Sequence, residues 1–126
     1  MTLKRKLSLW LPAIVWCAFI FVLSSLPGAD FSSDGGKNFV IRKLLHLVEY
    51  SVLGLAFYRG TKRPFLSAFL AIIYAISDEA HQTFVLGRTG KFEDVFIDSF
   101  ASVLTGLVLW KFLHLLPRKL ESWLKE

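Results

Sequence analysis

Residues 7–26 are twenty consecutive positions without a charged side chain. As a helix rising about 1.5 Å per residue, such a run is about 30 Å long, the thickness of a bilayer's hydrocarbon core. The composition agrees, since 54% hydrophobic residues and a mean hydropathy of +0.51 are too apolar for an ordinary soluble domain of 126 residues. The run follows Lys4, Arg5 and Lys6, as a signal peptide core would. It is longer than such a core, however, and Pro27 would stand at the third position before a cut after Ala29, so an uncleaved helix is expected.

Three further helices are expected, at about residues 39–58, 64–82 and 92–116, which makes a single-domain, all-α, four-helix transmembrane bundle. Between the first two lies a loop rich in turn formers, from Gly28 to Asn38. The second helix is the least apolar, with Arg42, Lys43, His46 and Glu49 in its first half. Pro64 suits the first turn of the third helix, and Gly87 and Gly90 mark a short turn before the fourth. Pro117 limits that helix. The segment after it puts Leu120, Trp123 and Leu124 on one side, the pattern of a short amphipathic C-terminal helix lying on a membrane surface.

Orientation follows from the basic residues. Ten of the fifteen flank one end of the helices: Lys4, Arg5, Lys6, Arg59, Lys62, Arg63, Lys111, Arg118, Lys119 and Lys125. That end, with both termini, should be cytoplasmic. The opposite end holds eight of the ten acids: Asp30, Asp34, Glu49, Asp78, Glu79, Glu93, Asp94 and Asp98. Trp10 and Trp110 fall near the cytoplasmic boundary, where indoles favour the headgroup layer. The net charge of +5 is thus distributed as topology signals between apolar runs and does not form a nucleic-acid-binding face. Cys17, the one cysteine, allows no intramolecular disulfide and reads as filler.

Counted from the last cytoplasmic base of each helix, His46, Asp78 and Asp98 all lie roughly 20 to 23 Å up. Glu49 is deeper, at roughly 15 Å, and Glu79, His81, Asp94 and Ser24 are higher, at roughly 24 to 27 Å. The spacings His46/Glu49, Asp78/His81 and Asp94/Asp98 each place two ionisable groups on one helix face, with Gln82 and Tyr74 one turn either side of Asp78. The direction of Glu79 stays open. An intramembrane charge costs about 2.5 to 3.5 kcal/mol on insertion scales, so the cluster needs a reason. Either these residues satisfy one another and fix helix register, or they form a site open to the outside. Ala101, Ser102, Thr105 and Gly106 continue the Asp98 face with small residues that allow close approach.

The ordered set Ser24-Ser25-Leu26-Pro27, Lys43-x-x-His46-x-x-Glu49-Tyr50-x-x-Leu53-Gly54, Ser77-Asp78-Glu79-x-His81-Gln82-x-Phe84, Gly87-Arg88 and Asp94-x-x-x-Asp98 resembles the VanZ-like family of bacterial membrane proteins. The resemblance runs from about residue 16 to 106. Leu86, where a proline often precedes Gly-Arg, and Ala101, where a glycine often follows the second aspartate, depart from the pattern. The family is named for a low-level teicoplanin resistance determinant, so the resemblance implies a multi-pass protein of the plasma membrane with a role in the cell envelope.

Three functions compete. The first is binding of an amphiphile, such as an anionic lipid, a cell-wall precursor or a lipophilic glycopeptide. Lys43, His46, His81 and Arg88 would hold its anion, and Glu49, Tyr50, Asp78, Gln82, Asp94 and Asp98 would complete the site. The net negative charge of the outer end counts against an anion. That opens a second reading, a metal-assisted hydrolase or transferase acting on a lipid phosphate. Its candidate catalytic residues are His46, Glu49, Asp78, Glu79 and His81, with His46, Glu49, Asp78, His81 and Asp98 as possible ligands of a divalent zinc, manganese or iron. The third is a proton-linked lipid transporter using Glu49 and Asp78.

Overall fold

The computed structural model describes residues 2–27, 33–88 and 90–126. Among them are five α-helices and no strands: α1 (Leu3–Ser25), α2 (Gly35–Thr61), α3 (Pro64–Gln82), α4 (Phe92–Phe112) and α5 (Arg118–Lys125), with a 3₁₀ turn at Leu113–Leu115 between the last two. Of the Gly28–Asn38 loop's turn formers, Gly28, Asp30 and Ser32 lie outside the described residues, while Gly35 and Gly36 belong to α2. Two helical stretches are long and apolar enough to cross a membrane, Leu3–Ser25 and Phe92–Leu115.

Local chemistry sets the ends. Asp34 caps α2 by accepting hydrogen bonds from the Gly36 and Lys37 N–H groups, so the helix starts one turn before the expected Phe39. It continues to Thr61, and Lys62 closes it in the left-handed conformation at φ 57°. Pro64 opens α3, where its missing N–H costs nothing.

The α2–α3 pair stands at the centre. α1 packs on it from one side and α4 from the other. α2 and α4 run in the same direction, because Lys43 pairs with Asp94, His46 with Asp98, and Gly54 abuts Thr105 in nearly constant register. α1 is tied across by side chain to backbone bonds: the Trp16 indole donates to the Glu49 carbonyl at 2.8 Å, and the Tyr74 hydroxyl to the Cys17 carbonyl at 2.6 Å. Indole and phenol donors find partners when buried, so both aromatics act as crosslinks as well as bulk.

The packing is inside-out for a water-soluble protein. Around a few large buried residues such as Ile20, Tyr50 and Leu53, many buried positions are small or polar, among them Ser67, Ala71, Ala75, Asp78, Asp98, Ala101 and Ser102. Large apolar side chains point outward on every long helix: Leu11, Ile14 and Val22 on α1, Val40, Leu44 and Val48 on α2, Phe65, Phe69 and Ile73 on α3, Phe96 and Phe100 on α4.

α5 departs from the surface helix expected. Its apolar side folds back under the bundle, where Leu124 is fully buried and forms a cluster with Tyr58 and Leu109, flanked by Leu120 and Trp123. Three basic side chains take its terminal carbonyls: Arg59 donates to Trp123, Lys62 to Leu124 at 2.7 Å, and Arg5 to Glu126 at 3.4 Å. Basic groups suit the negative end of a helix, and Arg59 also lies over the Trp123 ring at 4.5 Å. Burial, with Arg59 and Arg5 nearby, holds the Lys62 ammonium below its usual range. A ready-made apolar socket competes with the membrane surface for the same face of α5, and it holds that face here.

Candidate functional site

At the end of the bundle where α1 and α3 finish and α2 and α4 begin, a cavity of about 290 Å³ lies between the helices. Four cationic side chains line it, Arg42, Lys43, Arg88 and Lys91, against three carboxylates, Glu49, Asp78 and Asp94, with His46 beside them. The excess of acids read across this whole end is therefore absent from the lining itself. Glu79 and Asp98 do not line the cavity, and Asp34 and Glu93 stand clear of it.

Two rungs hold one wall. Lys43 forms an ion pair with Asp94, and one turn further in His46 Nδ1 lies 2.9 Å from Asp98 Oδ1. The i, i+3 step on α2 meets the i, i+4 step on α4 because the two helices run in the same direction. Asp98 is almost wholly buried, and its second oxygen has no partner among the described residues.

On the opposite wall, Gln82 Nε2 donates to Asp78 Oδ2 at 3.1 Å within α3. Asp78 Oδ1 is buried and unpartnered among the described residues. On α2 the lining ends at Glu49, and the next residue, Tyr50, lies fully buried against Tyr74 at 6.5 Å between ring centroids. Tyr50 is thus floor rather than lining, and its hydroxyl is also without a partner among the described residues.

Three candidate residues are engaged elsewhere. Glu79, whose direction the spacing left open, turns to the start of α4 and accepts from the Lys91 N–H. It supplies the cap that Lys91's own side chain does not. His81 turns to α1, with Nε2 3.0 Å from Ser25 Oγ and the imidazole stacked on Phe21 at 4.6 Å. Ser25 Oγ also donates to the Phe21 carbonyl at 2.7 Å, so this contact closes the end of α1. Arg88 donates to the Leu26 and Leu23 carbonyls at 2.9 and 2.8 Å. It satisfies two acceptors at the end of α1, and among the described residues its charge meets no carboxylate there.

With His81 drawn to α1 and His46 to Asp98, the five candidate metal ligands divide between two walls. Among the described residues no three His, Cys, Asp or Glu side chains are grouped to hold a metal ion. Several lining residues were missed by sequence reasoning, including Leu23, Phe39, Leu45 and Lys91. Lys91 carries a usable signal, since it stands immediately before α4 and its side chain must leave the first turn on the same end as Asp94.

Because Arg88 ties the α3–α4 turn to two carbonyls at the end of α1, Arg88→Gln should loosen α1 from that turn. The expected result is faster proteolysis between Ser25 and Gly35 in the purified protein, and an unchanged cleavage rate would contradict this role for Arg88.

A family model described as VanZ/LLP1 matches residues 9–114, from within α1 to within the 3₁₀ turn, and includes every residue of the cavity. No curated protein and no solved structure matches the chain.

Proposed function

The chain belongs to the VanZ/LLP1 family, and from that premise we propose that it is a multi-pass protein of the bacterial plasma membrane that holds the anionic group in the head of an amphiphile drawn from the outer leaflet. In this reading α1 to α4 all cross the bilayer and the termini face the cytoplasm. α1 and α4 pass a simple test of length and hydropathy. α2 and α3 carry their charges inward and their large apolar residues outward, so lipid would meet four apolar faces and no exposed charge cluster at mid-depth.

The observation that carries the proposal is the cavity itself. Its charged lining adjoins Leu26, Phe39 and Leu45, which line the cavity and are also exposed on the outside of the bundle. A lining that runs from charged groups to outward apolar side chains of this kind suits a molecule with a polar head and an apolar tail. The volume of about 290 Å³ is at the low end for small-ligand pockets, enough for a head while the tails stay among the lipids. Handling an envelope amphiphile at this place would also affect how a cell responds to a lipophilic glycopeptide such as teicoplanin.

Lys91→Glu tests the reading with little risk to folding, because the side chain is exposed and the backbone N–H that Glu79 accepts remains. In native mass spectrometry of the full chain, phosphatidylglycerol adducts should fall about fivefold, a change of roughly 1 kcal/mol in binding. Lys119→Glu, an exposed change on α5 at the far end, should leave them alone. Equal adducts in the wild type and Lys91→Glu would remove the proposed site.

A further inference from the structure

We infer that the head held in this cavity is a phosphate that also carries hydrogen-bond donors, an amine or hydroxyls, with the phosphate at the basic rim and the donors turned inward to Asp78 and Glu49. The inference rests on the proposed function and names its ligand class.

Asp78 is the central observation. Its carboxylate is 5% exposed and lines the cavity, with one oxygen held by Gln82 and the other buried without a partner among the described residues. Buried acceptors in native proteins are almost always satisfied, and an unmet one carries a desolvation penalty. Gln82, one turn along the same helix, fixes the carboxylate so that the open oxygen has a set direction. The missing partner is a donor.

The cavity also has a polarity along its depth. On α2, Lys43 stands at the level of Asp94 near the helix start, while Glu49 lies about 9 Å further in, at a rise of about 1.5 Å per residue. Arg88 and Lys91 come from the turn at the same outer end as Lys43. A ligand entering by its head therefore meets Arg88, Lys91 and the Lys43–Asp94 pair first and Glu49 last. A simple anion would satisfy the rim and leave Asp78 unmet. A quaternary ammonium carries positive charge but has no N–H to donate, so it fails at the same oxygen.

The test compares phosphatidylethanolamine, phosphatidylglycerol and phosphatidylcholine of matched acyl chains, titrated onto the full detergent-purified chain and read by native mass spectrometry. The ethanolamine and glycerol heads should be retained about fivefold over choline. Asp78→Asn places an amide NH₂ where the acceptor was and should bring that ratio towards one, and Glu49→Gln should lower it in part. Lys91→Glu should instead reduce all three lipids together.

Equal retention of choline and ethanolamine heads by the wild type, with the Lys91 dependence intact, overturns the donor inference and leaves the pocket standing. No adduct of any lipid in any variant removes both. Free phosphoethanolamine competing as well as its lipid would support the head chemistry and assign the site to a soluble phosphate, and competition only by the lipid would support the same chemistry with a membrane source.

Discussion

His46→Leu should destabilise the folded bundle by about 3 to 5 kcal/mol, the range for removing one partner of a buried charged pair. Asp98 is 1% exposed, and His46 is the only side chain that meets its carboxylate among the described residues. Leucine would leave both oxygens unmet at the interface of α2 and α4. Asp98→Asn keeps the shape and gives up the charge, so its cost should be nearer 1 kcal/mol. The double replacement by leucine should cost less than His46→Leu alone, because no orphan carboxylate remains. Unfolding of the wild type, His46→Leu, Asp98→Leu and the double leucine variant in a graded denaturing-detergent titration gives the double-mutant cycle, with Asp98→Asn measured beside them. If His46→Leu unfolds within 1 kcal/mol of the wild type, the pair contributes little to stability, and its part in the fold has to be rethought.

Gly106→Leu should separate α3 from α4. A Cβ added at Gly106 would lie 3.1 Å from the Pro64 carbonyl oxygen and 3.2 Å from Ala68 Cβ. The first of these is backbone in the opening turn of α3 and cannot rotate away. Alanine tests the balance of two effects of similar size. It gains about 1 kcal/mol in helix propensity over glycine and loses a comparable amount to crowding, so Gly106→Ala should be near neutral. Leucine adds three more carbons in the same direction, and overpacking of this kind costs about 1 to 3 kcal/mol or more. The detergent titration should show Gly106→Ala near the wild type and Gly106→Leu strongly shifted. Wild-type behaviour of the leucine variant would mean that the two helices are not in contact at this position.

Much of the fold could be read from particular residues. Pro64 marks the first residue of α3, and all but the last residue of the run 7–26 lie within α1. The start of α2 was harder, because Gly35 and Gly36 read as turn formers, and only the cap from Asp34 makes them helical. Depth along each helix was also legible, since rise per residue is nearly invariant, and it grouped His46, Asp78 and Asp98 at one end. Rotation about each helix axis was not. Spacing says which residues of one helix share a face but not what that face meets, and the neighbours are chosen by small-residue contacts such as Gly54 with Thr105. That is why Asp78 faces the cavity while His81, one turn away, turns to Ser25. Arg88 lies in a turn with no periodicity to read, and its direction is set by the two carbonyls waiting at the end of α1.

The socket under the bundle has a practical consequence for mapping orientation. Arg5 reaches the Glu126 carbonyl, so the first turn of α1 and the last of α5 lie side by side. Under the proposed topology, an impermeant label should reach both ends or neither. A reporter attached beyond Glu126 has to work around the Arg59 ion pair with the Glu126 side chain at 3.6 Å, which makes the opposite end of the chain the gentler place for a tag.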